Sequence, residues 1–296
     1  MLKEKALQEN LIPFLECKDY TVSGERYSVL RNSMYDLLVT SPVPKDLENY
    51  YQSDAYISHT DAKKSLLDKV YQAVKSHAIR KKVALINSFS TTQKTLLDIG
   101  AGTGDFLQEC LQNNWEAFGV EPNLKAREIA KNKNVILEKD LSFFANQKFD
   151  VITLWHVLEH IENLEIYIQT LKNQLNENGT LLIAVPNHKS FDAAYYGKYW
   201  AAYDVPRHLW HFSQTSIQKI FEHISMKVVK VLPMKFDSYY VSLLSEKYKN
   251  GKMNFFKSFW IGFLSNRKAK KTSEYSSLIY VIKNQQKHTE IALKPL

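Results

Sequence analysis

Short runs of β-branched and other apolar residues alternate with helix-like patterns through most of the chain. Seven such runs predict strands, at residues 96–99, 117–120, 135–137, 151–154, 181–185, 228–232 and 278–282. Strands that alternate with helices form parallel sheets whose faces those helices cover. The pattern therefore predicts a doubly wound α/β fold with a mostly parallel seven-stranded sheet, which the last run closes.

Two further regions flank this pattern. Residues 64–86 carry apolar side chains at helical spacing, with lysines on the opposite face, and predict a helix that leads into the sheet. Residues 1–60 hold short β-type runs at 27–30 and 35–39, broken by the prolines within 41–44, and predict a small β-rich N-terminal module. The remaining divisions are a main domain over 61–285 and a polar tail over 286–296, which we expect to be flexible.

Composition narrows the class of protein. Apolar residues make up 45% of the chain and charged residues 24%, values typical of a globular protein. No uncharged apolar run approaches the 18 residues that span a bilayer, and the first residues lack the apolar region of a signal peptide. With only Cys17 and Cys110, both expected as free thiols, the sequence favours a cytoplasmic location.

Positive charge is concentrated near the C-terminus. From residue 227 onward there are 14 Lys and Arg against 4 Asp and Glu, within a formal net charge of +8 for the whole chain. A basic segment of this kind favours an anionic substrate, a membrane surface or a nucleic acid. A solvated lysine-rich surface explains the charge equally well.

A glycine-rich turn follows the first strand of the sheet. It reads Asp98-Ile99-Gly100-Ala101-Gly102-Thr103-Gly104 and leads into a helical stretch. A dinucleotide fingerprint needs a third glycine where this chain has Asp105, and a P-loop needs Gly-Lys-Ser/Thr, which is absent. Glu121 stands at the end of the second strand, 21 residues after Gly100, where a carboxylate can accept both hydroxyls of a ribose. A plain surface glutamate is the alternative.

The order of these motifs resembles that of class I S-adenosylmethionine-dependent methyltransferases. The similarity includes the loop, the acidic strand end, Lys139-Asp140-Leu141, and the stretch from Phe149 to Ile161. It implies a Rossmann-like fold that binds S-adenosyl-L-methionine and releases S-adenosyl-L-homocysteine. In that family Asp98 would hold the amino-acid end of the cofactor, Asp140 would reach the adenine, and Trp155 would lie beside the sulfonium. The implied cofactor residues are Asp98, Gly100, Ala101, Gly102, Glu121, Pro122, Asp140, Leu141 and Trp155.

Acid–base groups cluster in two places, residues 156–160 and 203–213. Imidazole titrates near neutrality, so His156, His208 and His211 are the candidate catalytic residues. Glu159 and His160 resemble part of a metal-binding element of some small-RNA and quinone-precursor methyltransferases, in which His211 would complete the ligand set. Because His156 stands where that element has a glutamate, we predict no metal, and a role for Glu159 and His160 in pinning the neighbouring loop is the alternative.

Aromatic residues mark the expected substrate side. The stretch 191–200 is too irregular for a helical stripe and is interpreted as a lid, and the cap segments are residues 188–212 and 236–265. Candidate substrate residues are Tyr199, Trp200, Tyr203 and Arg207, and core packing is the alternative. Residues 255–264, flanked by lysines and an arginine, would also suit contact with a membrane surface.

The N-terminal module resembles a small zinc ribbon fused to some C-methyltransferases of sugars and related compounds. That ribbon needs two cysteine pairs, and only Cys17 is present. We therefore expect a degenerate, metal-free β-hairpin module over the pocket.

These inferences lead to one function and two alternatives. The chain is expected to move a methyl group to oxygen or carbon of a small-molecule or lipid-like acceptor. A nucleic-acid methyltransferase, which we do not favour, and a cofactor-binding protein without catalysis are the alternatives, and the oligomeric state is not encoded in any motif.

Overall fold

The computed structural model describes residues 4–51, 66–89 and 91–285. The strands are β1 Ile12–Lys18, β2 Arg26–Asn32, β3 Leu37–Ser41, β4 Thr95–Ile99, β5 Glu116–Val120, β6 Phe149–Trp155, β7 Leu175–Pro186, β8 Trp210–His211, β9 Met226–Pro233 and β10 Ser277–Asn284. The helices are α1 Glu4–Gln8, α2 Leu66–Asn87, α3 Asp105–Gln112, α4 Leu124–Lys131, α5 Leu164–Asn173, α6 Phe191–Tyr196, α7 Gln214–His223, α8 Asp237–Asn250 and α9 Phe255–Thr272.

The central sheet has the order β5-β4-β6-β7-β10-β9. Its first four strands are parallel, while β10 runs antiparallel between β7 and β9. The doubly wound, mostly parallel prediction is therefore confirmed. The last strand, however, is inserted inside the sheet and does not close its edge.

The prediction of a seventh strand at residues 135–137 is wrong. Only Glu138 bridges to the edge strand, beside Val120, through hydrogen bonds with Gly119 and Glu121. Val135 and Leu137 are buried while Ile136 is exposed, which imitates the alternation of a strand. Burial against α3 and Gly119 produces that alternation here, so the described sheet has six strands.

Alternate side chains along each strand enter two separate cores. Leu97 and Ile152 belong to one cluster, and their neighbours Leu96 and Val151 belong to the other. Successive side chains of a strand point to opposite faces, so both faces of the sheet are covered. The second core also contains Val83 and Ile86 of the lead-in helix α2, and the helix predicted from residue 64 is described from Leu66.

The N-terminal region forms a second, antiparallel sheet of order β1-β2-β3-β8. Strand β8 comes from the cap, and Val39 pairs with Trp210. Leu37 and Val39 also pack in the larger core of the central sheet. Cys17 is buried, a position that raises its pKa to about 12. Like Cys110, it is a free thiol.

The prediction that residues 191–200 are irregular is only partly right. Phe191–Tyr196 form a helix because Ser190 accepts a hydrogen bond from the Ala193 amide, and Gly197 then ends it. A hairpin of the helices α8 and α9 follows later in the chain and carries the second aromatic segment. No helix in the described residues is both long and apolar enough to cross a membrane. The predicted tail over 286–296 lies outside the described residues.

Candidate active site

The glycine loop lies at the carboxyl end of β4, and its three glycines all have a positive φ. Gly100 has φ +68° and Gly102 φ +54°, in the left-handed region. A β-carbon on Gly100 would lie 2.5 Å from Cγ2 of Val157, whereas one on Gly102 would meet nothing within 4 Å. Gly100 is thus needed for packing, and the backbone at Gly102 borders open space that a ligand can approach. Ala101 lies between them, and its amide donates to the carbonyl of Val120.

Glu121 lies directly across from this loop. Its Oε2 accepts the Gly102 amide at 2.9 Å and its Oε1 accepts the Asn123 amide at 2.9 Å. Each carboxylate oxygen has a further lone pair for a ligand hydroxyl. Pro122 follows in the same turn, and Arg127 donates to its carbonyl oxygen. The loop and the carboxylate therefore form a cradle with open space and spare hydrogen-bond acceptors for a ligand.

Asp98 is buried beneath the loop. Thr153 donates to its Oδ1 at 2.5 Å. Burial raises the pKa of Asp98 to about 7, although Thr153 and the nearby Lys82 oppose that rise. Burial lowers the pKa of Lys82 to about 8, and its ammonium lies 4.2 Å from the ring centre of Trp155. The buried Nε1 of Trp155 has no hydrogen-bond partner among the described residues, as expected for a donor beside a ligand site.

Asp140 and Leu141 lie at the start of a short 3₁₀ turn, Leu141–Phe144. Asp140 is exposed and caps this turn by accepting from the amide and hydroxyl of Ser142, which lower its pKa. Leu141 is partly buried against the main core. An adenine contact by Asp140 stays a prediction, because its capping role also explains an aspartate here.

A cavity of about 530 Å³ opens between the N-terminal sheet, the cap and helix α8. Polar side chains on its wall include His156, His160, Asp204, Arg207 and His208. Its aromatic and aliphatic side chains are Tyr20, Tyr240, Val241, Leu244 and Tyr248. Because His156 directly follows β6, the cavity adjoins the carboxyl edge of the sheet, where ligands of such sheets bind.

His156 lies between two carboxylates. Its Nδ1 is 3.3 Å from Oε1 of Glu159, and its Nε2 is 3.1 Å from Oδ2 of Asp237. Burial alone would lower its pKa, but these two partners raise it to about 10. His156 is therefore an imidazolium at neutral pH, with both N–H groups engaged, and it is unsuited to the role of general base. Its φ of +59° is a strained conformation of the kind found at functional sites.

His160 has the opposite character. Its Nδ1 lies 3.0 Å from the carbonyl oxygen of Arg207 and 3.1 Å from the hydroxyl of Tyr51. In the tautomer whose Nδ1–H donates to that carbonyl, Nε2 is the lone-pair nitrogen. Burial, followed by the charge of His208, lowers the pKa of His160 to about 4. The two rings are 4.6 Å apart, and Nδ1 of His208 is occupied by the carbonyl of Ala202 at 2.9 Å. The cavity thus has a neutral imidazole on its wall.

Several predicted residues lie away from this cavity. His211 is buried beside Thr40, and burial places its pKa well below the usual value. Trp200 and Tyr203 are buried against β1 and line a separate void of about 10 Å³. Tyr199 lies nearby, its ring 6.2 Å from that of Tyr20. Of the four candidate substrate residues, only Arg207, paired with Asp204, lies on the cavity wall.

The ligand set that the family resemblance would give for a metal is not the group that the fold assembles. Donor atoms of Glu159, His160 and His208 lie within 4.8 Å of one another, so His208 replaces His211. One oxygen of Glu159 already accepts from His156, and the three histidines hold the pKa of Glu159 below its usual value against the effect of burial. This favours Glu159 as the counter-ion of an imidazolium, and His160 pins the loop at Arg207.

The sequence patterns did not identify two candidate functional residues. Asp237 reaches His156 from 81 residues further along the chain, and Lys82 lies near Asp98 from the lead-in helix. Each residue looks like an ordinary helical surface position in the sequence. Only the folded arrangement brings them to the carboxyl edge of the sheet.

Known proteins share both the sequence pattern and the fold. Residues 71–231, more than half of the chain, match the sequence profile of a family described as a methyltransferase domain. An uncharacterized methyltransferase of Alkaliphilus oremlandii (strain OhILAs) is 32% identical over 99 residues, covering 31% of this chain and 45% of that protein. The chain therefore matches less than half the length of this curated relative.

Solved structures are similar at low sequence identity. A magnesium protoporphyrin IX methyltransferase from Synechocystis PCC 6803, crystallised with bound SAH, superimposes with a TM-score of 0.53 at 14% identity, covering 80% of this chain and 97% of that chain. A cyclopropane synthase from Mycobacterium tuberculosis gives 0.50 at 12% identity, covering 82% and 99%. These likenesses establish the fold. The family match shows that the chain belongs to the methyltransferase domain family.

Proposed function

We propose that this methyltransferase methylates an acidic hydroxyl, such as a phenol or enol, on a small and largely apolar acceptor bound in the 530 Å³ cavity. The observation that carries this proposal is the neutral imidazole of His160 on a cavity wall that also has a group of aromatic and aliphatic side chains. When bound, S-adenosylmethionine supplies a methyl group already activated on a sulfonium. The chain itself must align the acceptor and remove its proton.

The proposed cofactor contacts follow from the cradle. Glu121 would accept the ribose hydroxyls, the backbone at Gly102 would lie against the ligand, and Asp98 would serve its amino-acid end. Asp140 and Leu141 would flank the adenine. These contacts would direct the sulfonium towards Trp155 and the cavity.

His160 would take the acceptor proton at Nε2, in the tautomer whose Nδ1–H donates to the carbonyl of Arg207. Burial, which lowers the pKa of His160 to about 4, keeps this imidazole unprotonated at neutral pH and so able to accept a proton. An acidic acceptor hydroxyl makes that transfer easier, because the base is weak. The imidazolium of His156 would stabilise negative charge that develops on the acceptor oxygen. This proposal differs from the roles first expected for His156 and His208: His160 would be the base, and His208 would be its neighbour.

Charge on the cavity wall favours a neutral acceptor over a nucleic acid. The wall mixes cations, among them His156, Arg207 and Lys247, with the anions Asp204 and Asp237, and Glu159 lies behind it. A nucleic-acid site needs an excess of positive charge along a groove. The cavity offers no such excess.

Labelled methyl transfer tests the proposal. The protein is incubated with methyl-labelled S-adenosylmethionine and a cell extract, and the products are separated into lipid, small-molecule, protein and nucleic-acid pools. We expect an alkali-stable methyl ether in an apolar fraction. Label in the nucleic-acid or protein pool, or in no pool despite cofactor binding, would overturn the proposal.

A matched pair of histidine variants tests the base. His160→Gln should lower the transfer rate by about 10²- to 10⁴-fold while S-adenosylhomocysteine binding stays within about twofold, because a base remote from the cradle contributes little to cofactor affinity. His223→Gln is the control, since His223 contacts Tyr35 and does not line the cavity. An unchanged rate for His160→Gln would eliminate His160 as the base.

A further inference from the structure

Helix α9 has its bulky apolar side chains on the outside. Its buried positions are Ser258, Ile261, Gly262, Ser265 and Ala269. Its exposed positions include five aromatic residues, which we call the aromatic face: Phe255, Phe256, Phe259, Trp260 and Phe263. Phe256 is 92% exposed and Phe259 62%. A helix on the surface of a globular protein normally turns its apolar stripe inward.

The neighbouring helix α8 has the same kind of interior. Its buried residues are Ser238, Ser242, Ser245 and Glu246. The hydroxyl of Ser238 donates to the carbonyl oxygen of Gly262 at 3.1 Å, and a β-carbon on Gly262 would lie 2.9 Å from the Cα of Tyr239. Small residues let the two backbones approach closely and leave the large side chains outside. This arrangement is typical of helices whose outer surroundings are lipid.

The exposed charges on the hairpin of α8 and α9 are positive. Between residues 237 and 272 there are eight Lys and Arg against two acids. Both acids are engaged, Asp237 with His156 and Glu246 with Lys257 at 3.2 Å. The cations Arg267, Lys268, Lys270 and Lys271 are exposed and follow the aromatic face along α9. The hairpin therefore presents aromatic side chains beside uncompensated positive charge.

We propose that the aromatic face of α9 docks on the surface of a lipid bilayer that contains anionic lipids. Aromatic side chains suit the level of the headgroups, and lysines and arginines are attracted to anionic lipid. The helix would lie in the interface, because no helix of the described residues can cross the bilayer. A second copy of the chain fits less well, since a symmetric contact would press two cationic patches together.

The docking surface adjoins the cavity. Tyr239 of α8 stacks on Phe259 of the aromatic face at 5.2 Å, while Tyr240, Val241 and Leu244 of the same helix line the cavity. Lipid contact and the cavity wall thus share one helix. The docking proposal itself does not depend on which acceptor is methylated, and it can be tested without any turnover.

Vesicle flotation of the full chain tests the proposal. Phosphatidylcholine vesicles are compared with vesicles that contain phosphatidylglycerol, at low and high salt. We expect binding to the anionic vesicles that weakens with salt, because the lysines act through surface charge. An absence of binding to both kinds of vesicle would overturn the proposal.

Substitutions on α9 test whether its aromatic face and its lysines form the contact with the vesicle. Phe256→Ser with Trp260→Ser should weaken partitioning by at least about tenfold, and Lys270→Glu with Lys271→Glu by about 30-fold or more. Ile136→Ser with Ile166→Ser is the control, because these side chains are equally exposed elsewhere, at 79% and 67%. Circular dichroism and S-adenosylhomocysteine affinity verify that each variant is folded.

Two results would count against the bilayer. Equal binding by the aromatic variant and the wild type would show that α9 is not the contact. A dimer in sedimentation equilibrium that dissociates in the Phe256→Ser, Trp260→Ser variant would assign the surface to a second copy. A blue shift of fluorescence on anionic vesicles that is lost in Trp260→Phe would support docking, since this exposed indole would enter the interface.

Discussion

Gly100 and Gly102 of the glycine loop should respond to alanine in different ways. Both have a positive φ, which costs an alanine about 1–2 kcal/mol. At Gly100 the new β-carbon would also lie 2.5 Å from Cγ2 of Val157, and such overpacking adds about 1–3 kcal/mol. At Gly102 nothing lies within 4 Å. We therefore expect losses in the free energy of unfolding of about 2–5 kcal/mol for Gly100→Ala and about 1–2 kcal/mol for Gly102→Ala.

A double variant isolates the overlap. Val157→Ala removes both γ-carbons, so the nearest remaining atom, Val157 Cβ, would be 3.6 Å from the alanine at position 100, an ordinary contact. The combined variant should be more stable than the sum of the single losses predicts, by about 1–3 kcal/mol. Gly102→Ala should instead weaken S-adenosylhomocysteine binding more than it weakens the fold, because its β-carbon enters the open side of the cradle.

Urea unfolding, monitored by circular dichroism, gives the stabilities of the wild type and the four variants and, from them, the coupling between positions 100 and 157. Titration calorimetry with S-adenosylhomocysteine gives the affinities. Additive losses in the double variant would refute the overlap with Val157. Unchanged affinity in Gly102→Ala would refute the assignment of the open side of the loop to the cofactor.

Three further predictions concern charges in the site. Glu121→Gln should lower the affinity for S-adenosylhomocysteine in calorimetry by about tenfold to a hundredfold. Glu116→Gln is an exposed control at the start of the same strand and should have no effect. Equal losses of affinity in the two variants would contradict a role for Glu121 in the cradle. Asp237→Asn should lower the pKa of His156 from about 10 in an NMR titration, and an unchanged pKa would exclude Asp237 as its partner. Folding raises the pKa of His156 from 6.5 to about 10, so its contribution to stability is complete below pH 6.5 and is lost as the pH rises through about 10. In urea unfolding, Asp237→Asn should therefore reduce the loss of stability at alkaline pH. Since folding lowers the pKa of His160 to about 4, stability should fall as pH drops from 6.5 to 4, and His160→Gln should flatten that slope.

Local patterns in the sequence predict most strands of the central sheet. The cofactor loop and Glu121 could be located because a strand, a turn and a helix succeed one another within a few residues. Residues 135–137 were wrongly predicted to form a strand, because burial beside α3 produces the same alternation of buried and exposed side chains as a strand in a sheet. The spacing of apolar residues indicates which side chains are buried. It does not indicate which backbone groups are hydrogen-bonded to each other.

The acceptor side depends on contacts between distant parts of the chain. His156 was expected to be a base because a free imidazole titrates near neutrality, yet Asp237, 81 residues away, makes it an imidazolium. His160 was considered only as a metal ligand or a loop anchor, and its lowered pKa arises from burial and from His208. Protonation states of this kind follow from tertiary packing, which no local motif encodes.

A crystal structure of the protein with S-adenosylhomocysteine tests the central claim most directly. We predict a ribose on the carboxylate of Glu121, backbone contact at Gly102, and the sulfur facing the cavity that His156 and His160 line. A ligand bound elsewhere, such as the polar cleft of about 270 Å³ beside Gln93 and Asp150 at the opposite edge of the sheet, would contradict the claim. A sulfur atom that faces away from the cavity would contradict it as well.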